Sequence, residues 1–120
     1  MAKRVLIADD ALFMRMKLKR IVEGLGYQVV GEAANGRDAV EQYLNLRPDL
    51  VLMDITMPDM DGIAALKTIR TSDSTASVVM VTAMGQEAYV MDAIRAGAKD
   101  YVIKPFEEER VKAVLQRLVG

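Results

Sequence analysis

The chain contains no cysteine and no histidine. Without thiols there are no disulfides, no zinc–thiolate sites and no thiol nucleophile, and without imidazole there are no Ser-His-Asp triads and few transition-metal sites. Any chemistry therefore falls to carboxylates, lysine and threonine. An excess of one charge is also missing: 16 Lys and Arg against 17 Asp and Glu leave a net charge of −1, with a pI near 5.5. No bulk positive field argues for nucleic acid. No apolar run approaches membrane-spanning length. Met1-Ala2-Lys3-Arg4 leads straight into a strand with no signal-peptide pattern, so a cytoplasmic location with no membrane partner is expected. Internal repeats, low-complexity tracts and linkers are absent too.

What is present suits one soluble domain over residues 1–120, since 52% hydrophobic and 28% charged residues can build a real core at this length. The organising stretch is Leu50-Val51-Leu52-Met53-Asp54. Its apolar part is too short for a helix and has no polar alternation, the pattern of a strand buried on both faces of a parallel sheet. Asp54 falls at the strand's C-terminal end, the edge where open parallel sheets bind ligands. Pro58, Asp61 and Gly62 then supply loop and helix-start signals.

Arg4 to Ala8 is another short apolar run, and it stops at Asp9 and Asp10. Met14, Leu18, Ile21 and Val22 next form a helical stripe, with Arg15, Lys17, Lys19 and Arg20 off it, ending near Gly24 to Gly26. Gln28 to Gly31 reads as a strand and Asn35-Gly36 as a turn. Ala39, Val40, Tyr43 and Leu44 mark a second helix that stops before Pro48. A third helix follows Gly62, with Ile63, Leu66 and Ile69 inward. Ser77 to Thr82 is a strand ending in a hydroxyl. Gln86 to Ala96 is a helix with Ala88, Met91 and Ile94 inward, closed by Gly97. Tyr101 to Ile103 is a strand ending in Lys104-Pro105, and Glu107 opens a last helix that buries Val111, Val114, Leu115 and Leu118. Met14, Met53, Met80 and Met91 are assigned to the core.

Strands alternating with helices predict an α/β fold, a doubly wound five-stranded parallel sheet. Two strand orders are common, and the acids choose between them. In order 3-2-1-4-5 the ends of the first and third strands would lie about 10 Å apart, two spacings of roughly 4.8 Å. Order 2-1-3-4-5 makes those strands neighbours, which gathers Asp9, Asp10 and Asp54 at the switch point with Thr82 one strand further and Lys104 two.

Like charges about 4 Å apart repel by on the order of 4 kcal/mol at an effective dielectric of about 20. A hard divalent cation held by a few oxygens and open to a phosphate oxygen offsets this, which is what Mg²⁺ prefers, and Lys104 adds a second positive group. In that setting an aspartate can attack a phosphoryl group in line. A carboxylate nucleophile has no proton to lose, consistent with the lack of a strong general base. Singly, each residue has a blander reading: Asp10 a helix cap, Thr82 a β-branched strand end, Lys104 a solvated terminus. Together they end four of five strands on one edge, which a shared site explains economically.

Asp9-Asp10, Asp54 followed by Met57-Pro58-Asp59-Met60-Asp61-Gly62, Thr82-Ala83, and Tyr101 leading to Lys104-Pro105-Phe106 match, in order and over the whole chain, the response-regulator receiver family, which this sequence resembles. Asp9 to Arg15 and Met84-Gly85-Gln86 are similar to its stand-alone chemotaxis members. The resemblance implies a flavodoxin-like (βα)5 fold and phosphorylation of Asp54 by a histidine kinase. It implies Mg²⁺ on Asp10, Asp54 and the Thr56 carbonyl, with Asp9 mainly behind them. Thr82 and Lys104 would hold the phosphoryl oxygens, Tyr101 would swing inward with Thr82, and Lys104-Pro105 would be cis. The implied partners are the kinase, a phosphatase, and a protein target such as the flagellar motor switch, met by the face of helix four, strand five and helix five. A monomer is expected, and a switch rather than a turnover enzyme. Alternatives are a receiver cut from a larger regulator or phosphorelay, and an aspartyl-phosphate phosphatase of the haloacid-dehalogenase type. The last wants an Asp where Thr56 stands, and a cap for which no residues are spare.

Overall fold

The computed structural model describes residues 2–120; Met1, the start of the leader reading above, lies outside them. Five strands and five helices alternate: β1 (Arg4–Ala8), α1 (Leu12–Gly24), β2 (Gln28–Ala33), α2 (Gly36–Leu46), β3 (Leu50–Asp54), α3 (Gly62–Ser72), β4 (Val78–Ala83), α4 (Glu87–Arg95), β5 (Asp100–Lys104) and α5 (Glu108–Val119). The sheet is parallel throughout, in the order β2-β1-β3-β4-β5. This is the doubly wound α/β fold expected from the acids.

Alternation along the strands builds the two halves of the core. Leu6, Ala8, Val51, Met53, Val78 and Met80 face one side and pack with α2, α3 and α4. Val5, Ile7, Leu50, Leu52, Val79, Val81 and Val102 face the other and pack with α1 and α5. Every residue of β3 is buried, because β3 is central and has helices on both faces.

Three sequence assignments need correction. Ala88, Met91 and Ile94 of α4 are exposed, and Val90 and Ala93 face inward instead. Glu87, Asp92 and Arg95 are exposed alongside Ala88 and Met91, so a stripe through Ala88, Met91 and Ile94 drifts onto the charged side, and Val90 and Ala93, in the middle of the apolar arc, face the sheet. Met91, 51% exposed, is therefore no core filler, whereas Met53 and Met80 are fully buried. Leu44 also lies outside, and Tyr43 takes the inward position on α2. Asn35-Gly36 starts α2 rather than making a free turn, as the Asn35 side chain accepts the Asp38 N–H at 2.8 Å.

Two helix starts fix the loop that leaves Asp54. Asp61 caps α3 by accepting the Ala64 N–H at 2.8 Å. The Gly62 N–H donates to the Ile55 carbonyl at 2.7 Å, and the Gly36 N–H to the Met60 carbonyl at 2.8 Å. A Cβ on Gly62 would lie 1.9 Å from the backbone oxygen of Asp54, so only glycine allows α3 to begin so close to the strand end. Gly62→Ala should destabilise the fold by about 2 kcal/mol or more. Gly24→Ala, at the end of α1 with nothing within 4 Å, should be neutral or stabilising by up to about 1 kcal/mol. Urea melts of the two variants check this, and equal midpoints would remove the close-approach argument.

Candidate functional site

The crevice beyond the strand ends is assembled by register. Ala8 pairs with Met53 across β1 and β3, so Asp9 emerges beside Asp54; Asp54 pairs with Val81, and Ala83 pairs with Lys104. One oxygen each from Asp9, Asp10 and Asp54 lies within 4.8 Å of the others. Asp9 is 1% exposed and Asp54 7%, while Asp10 is open to solvent.

Asp9 is already engaged on both oxygens. Oδ1 accepts the Ala11 N–H at 2.9 Å, the turn that leads into α1, and Oδ2 accepts from Lys104 Nζ at 2.8 Å. Lys104 also lies 3.3 Å from Asp54 Oδ2. This leaves Asp10 and Asp54 as the freer oxygen donors, and an all-oxygen set with open space suits a hard divalent cation.

The charges shift one another. Burial raises the Asp54 carboxyl above its usual 3.8; the Lys104 ammonium and the Thr56 N–H oppose this, and the Asp9 charge adds to it. Burial alone would lower Lys104, but its hydrogen bond to Asp9 and the charges of Asp54 and Asp9 outweigh that and leave it raised. The ammonium is therefore firmly cationic, and the buried Asp54 carboxylate carries a desolvation penalty.

Thr82 is 1% exposed and follows Val81, the residue paired with Asp54. Thr56, in the loop after β3, is exposed. Tyr101 is 37% exposed, on edge strand β5. The Lys104-Pro105 bond is cis, as the resemblance implies. The structure thus brings Asp9, Asp10, Asp54 and Lys104 together, sets Thr82 beside them, and leaves Tyr101 facing out.

A family model described as the response regulator receiver domain matches residues 5–116. The chain belongs to this family. The receiver is CheY-like: Chemotaxis protein CheY of Thermotoga maritima is 56% identical over 118 residues, 98% of each chain. That of Bacillus subtilis is 55% identical over 120 residues, all of both chains. Among solved structures, a CheX-CheY-BeF3-Mg+2 complex from Borrelia burgdorferi superposes with a TM-score of 0.91 at 38% identity, covering 98% of this receiver and 90% of that chain. The receiver is accordingly a chemotaxis response regulator, a signalling protein rather than an enzyme that turns over an external substrate. Receiver domains hold Mg²⁺ at an aspartate cluster, and this one has such a cluster. Among the described residues no helix is long and apolar enough to cross a membrane.

Other polar side chains make contacts that the sequence reading did not foresee. Arg15, placed off the apolar stripe of α1, donates from Nη1 to the Asp9 carbonyl at 2.7 Å and pairs with Glu32 at 3.3 Å. Gln86 bonds both Thr82 and Thr56. Arg110 donates to the Tyr101 carbonyl at 2.6 Å and, with Arg117, binds Asp100. The similarity of Met84-Gly85-Gln86 to the stand-alone chemotaxis members pointed to this stretch but gave Gln86 no contact.

The raised Asp54 gives a signed pH dependence. Because its folded pKa lies above its unfolded value, the ionised carboxylate burdens the folded state above that raised pKa. The burden lifts as pH falls toward 3.8. In EDTA, Asp54→Asn should be more stable than the parent at neutral pH, with the gap closing as the pH falls toward 3.8. Denaturant melts across that window read the gap; one that widens on acidification contradicts the assignment.

Proposed function

We propose that the chain is a stand-alone phosphorylation switch, a single receiver domain over residues 1–120, that accepts a phosphoryl group from a histidine kinase onto Asp54. The observation that carries this is the meeting of Asp9, Asp10 and Asp54 oxygens within 4.8 Å, with Lys104 at 2.8 Å from Asp9 and 3.3 Å from Asp54. A buried carboxylate with a fixed cation beside it is primed for an anionic, in-line transfer rather than for proton abstraction.

Asp10, Asp54 and the Thr56 carbonyl would hold Mg²⁺, with Asp9 behind them holding Lys104. When bound, the metal supplies charge neutralisation for the phosphoryl oxygens. An Asp54 oxygen forms the new bond to phosphorus while the donor nitrogen leaves with the bonding pair of the broken bond. Lys104 pairs with one phosphoryl oxygen and the Thr82 hydroxyl donates to another. The Asp54 phosphate is later lost to water, helped by a phosphatase. The BeF3-Mg+2 relative supports this reading, as its name pairs a phosphoryl-like group with that metal.

Output is read on the face formed by α4, β5 and α5. Tyr89, Met91, Ile94, Tyr101 and Ile103 are exposed there, an apolar surface suited to a protein target. The chemotaxis relatives support the flagellar motor switch as that target, with the protein acting as a cytoplasmic monomer. Tyr101 turning inward as Thr82 moves toward the phosphoryl group would remodel this face.

Acetyl phosphate with Mg²⁺ should add one phosphoryl group to the parent and none to Asp54→Asn, read by intact mass and peptide mapping. Label surviving at another acid in the variant sinks the assignment. Mg²⁺ should raise the urea midpoint of the parent and hardly move that of Asp10→Ala, which in EDTA should itself be more stable than the parent by about 1 kcal/mol, the scale of a like-charge contact partly screened by water.

A further inference from the structure

Gln86 has no role in the reading above, yet it touches two of its residues. Its Oε1 accepts the Thr82 hydroxyl and, at 3.3 Å, the Ala83 N–H, while its Nε2 donates to Thr56 Oγ1 at 3.1 Å. The amide thus spans from the end of β4 to the loop after β3. It does so from the residue that precedes α4, and its side chain does not cap that helix. Gly85 before it sits at φ +89 with nothing within 4 Å, a left-handed turn that glycine adopts at little cost.

A threonine hydroxyl has one proton to donate. Thr82 is 1% exposed, so the proton must find an acceptor inside the protein, and the acceptor is Gln86. In the proposed function the same proton is required by a phosphoryl oxygen on Asp54. The two bonds exclude each other. The geometry points to Gln86 as a latch, a positioning residue that holds Thr82 in its resting arrangement and sets how readily the crevice accepts a phosphoryl group. This inference rests on the site assignment proposed above.

The competition is uneven in a useful direction. A neutral hydrogen bond is worth about two- to tenfold in an equilibrium constant, and a bond to an anionic oxygen is roughly twice as strong. The phosphoryl group therefore wins, but against a resting state that the latch favours. Because Gln86 leads into α4, its release also frees the start of the helix that carries Tyr89, Met91 and Ile94. One amide thereby connects the event at Asp54 to the output face.

The test titrates beryllofluoride, a phosphoryl mimic, in saturating Mg²⁺ into the parent, Gln86→Met, Thr82→Ala and the double variant, with binding read by fluorine NMR. Methionine keeps the length of the side chain and removes the amide. Gln86→Met should tighten the apparent Kd about two- to tenfold, and the same change on the Thr82→Ala background should do nothing, since no proton is left to compete for. Equal tightening on that background, or none in the single variant, overturns the latch. In the unaltered protein the Gln86 side-chain amide resonance should move to a freed position on saturation; an unmoved resonance overturns it too, whatever the variants do. If Asp54→Asn binds beryllofluoride as well as the parent does, the site assignment itself fails and the latch falls with it.

Discussion

The arrangement depends on one ammonium group. Asp9 and Asp54 are buried at adjacent strand ends, and two carboxylates so placed repel each other while losing water. Lys104 reaches both, at 2.8 and 3.3 Å, from a strand two places away across the sheet. Its net raised pKa reflects the same contacts. Removing it would leave two buried anions without a cation, a far larger disturbance than losing an exposed ion pair such as Arg95 with Asp92.

That ammonium can serve both acids only because the sheet is ordered as it is. β1 and β3 are neighbours, and β4 and β5 follow on one side. Their registers are held by two apolar layers, one on each face. A one-residue slip of β5 would send Lys104 to the opposite face, since alternate side chains point to opposite sides. Packing energy far from the crevice thus becomes positional accuracy within it.

The fold was legible because the short apolar runs have no helical period and four of the five end at an acid, a hydroxyl or a lysine. The acids that end the first and third runs then decided the strand order. α4 was not legible in the same way. A strict three-residue step through Ala88, Met91 and Ile94 drifts onto the side that carries Glu87, Asp92 and Arg95, whereas Val90 and Ala93 lie in the middle of the apolar arc. Long-range polar contacts were equally hidden. Arg15 of α1 meets Glu32 of β2, and Gln86 meets Thr56 between two loops, pairings that no local pattern encodes. The residues of the candidate site were legible because the proposed chemistry constrains their types, whereas the side chains that restrain them could have been almost any polar group.

The misassigned stripe is itself informative. The apolar residues of α4 that the sheet does not cover are left exposed, and here Met91 and Ile94 lie outside with Tyr101 and Ile103 of edge strand β5. Such surface is tolerated where something binds it. Arg110 holds the Tyr101 carbonyl at 2.6 Å and lies 5.9 Å from its ring centre. The outward position of the tyrosine is therefore supported by its own contacts and is not merely a default of exposure. For that face to change, the hydroxyl of Thr82 must gain more at the crevice than the ring and the helix lose at the surface. A charge-assisted bond to a phosphoryl oxygen is large enough to tip a balance of a few weak contacts. The contacts around Tyr101 and the start of α4 are few and weak while those that define the crevice are strong, and under the proposed function that difference would let phosphorylation of Asp54 change a surface without disturbing the sheet.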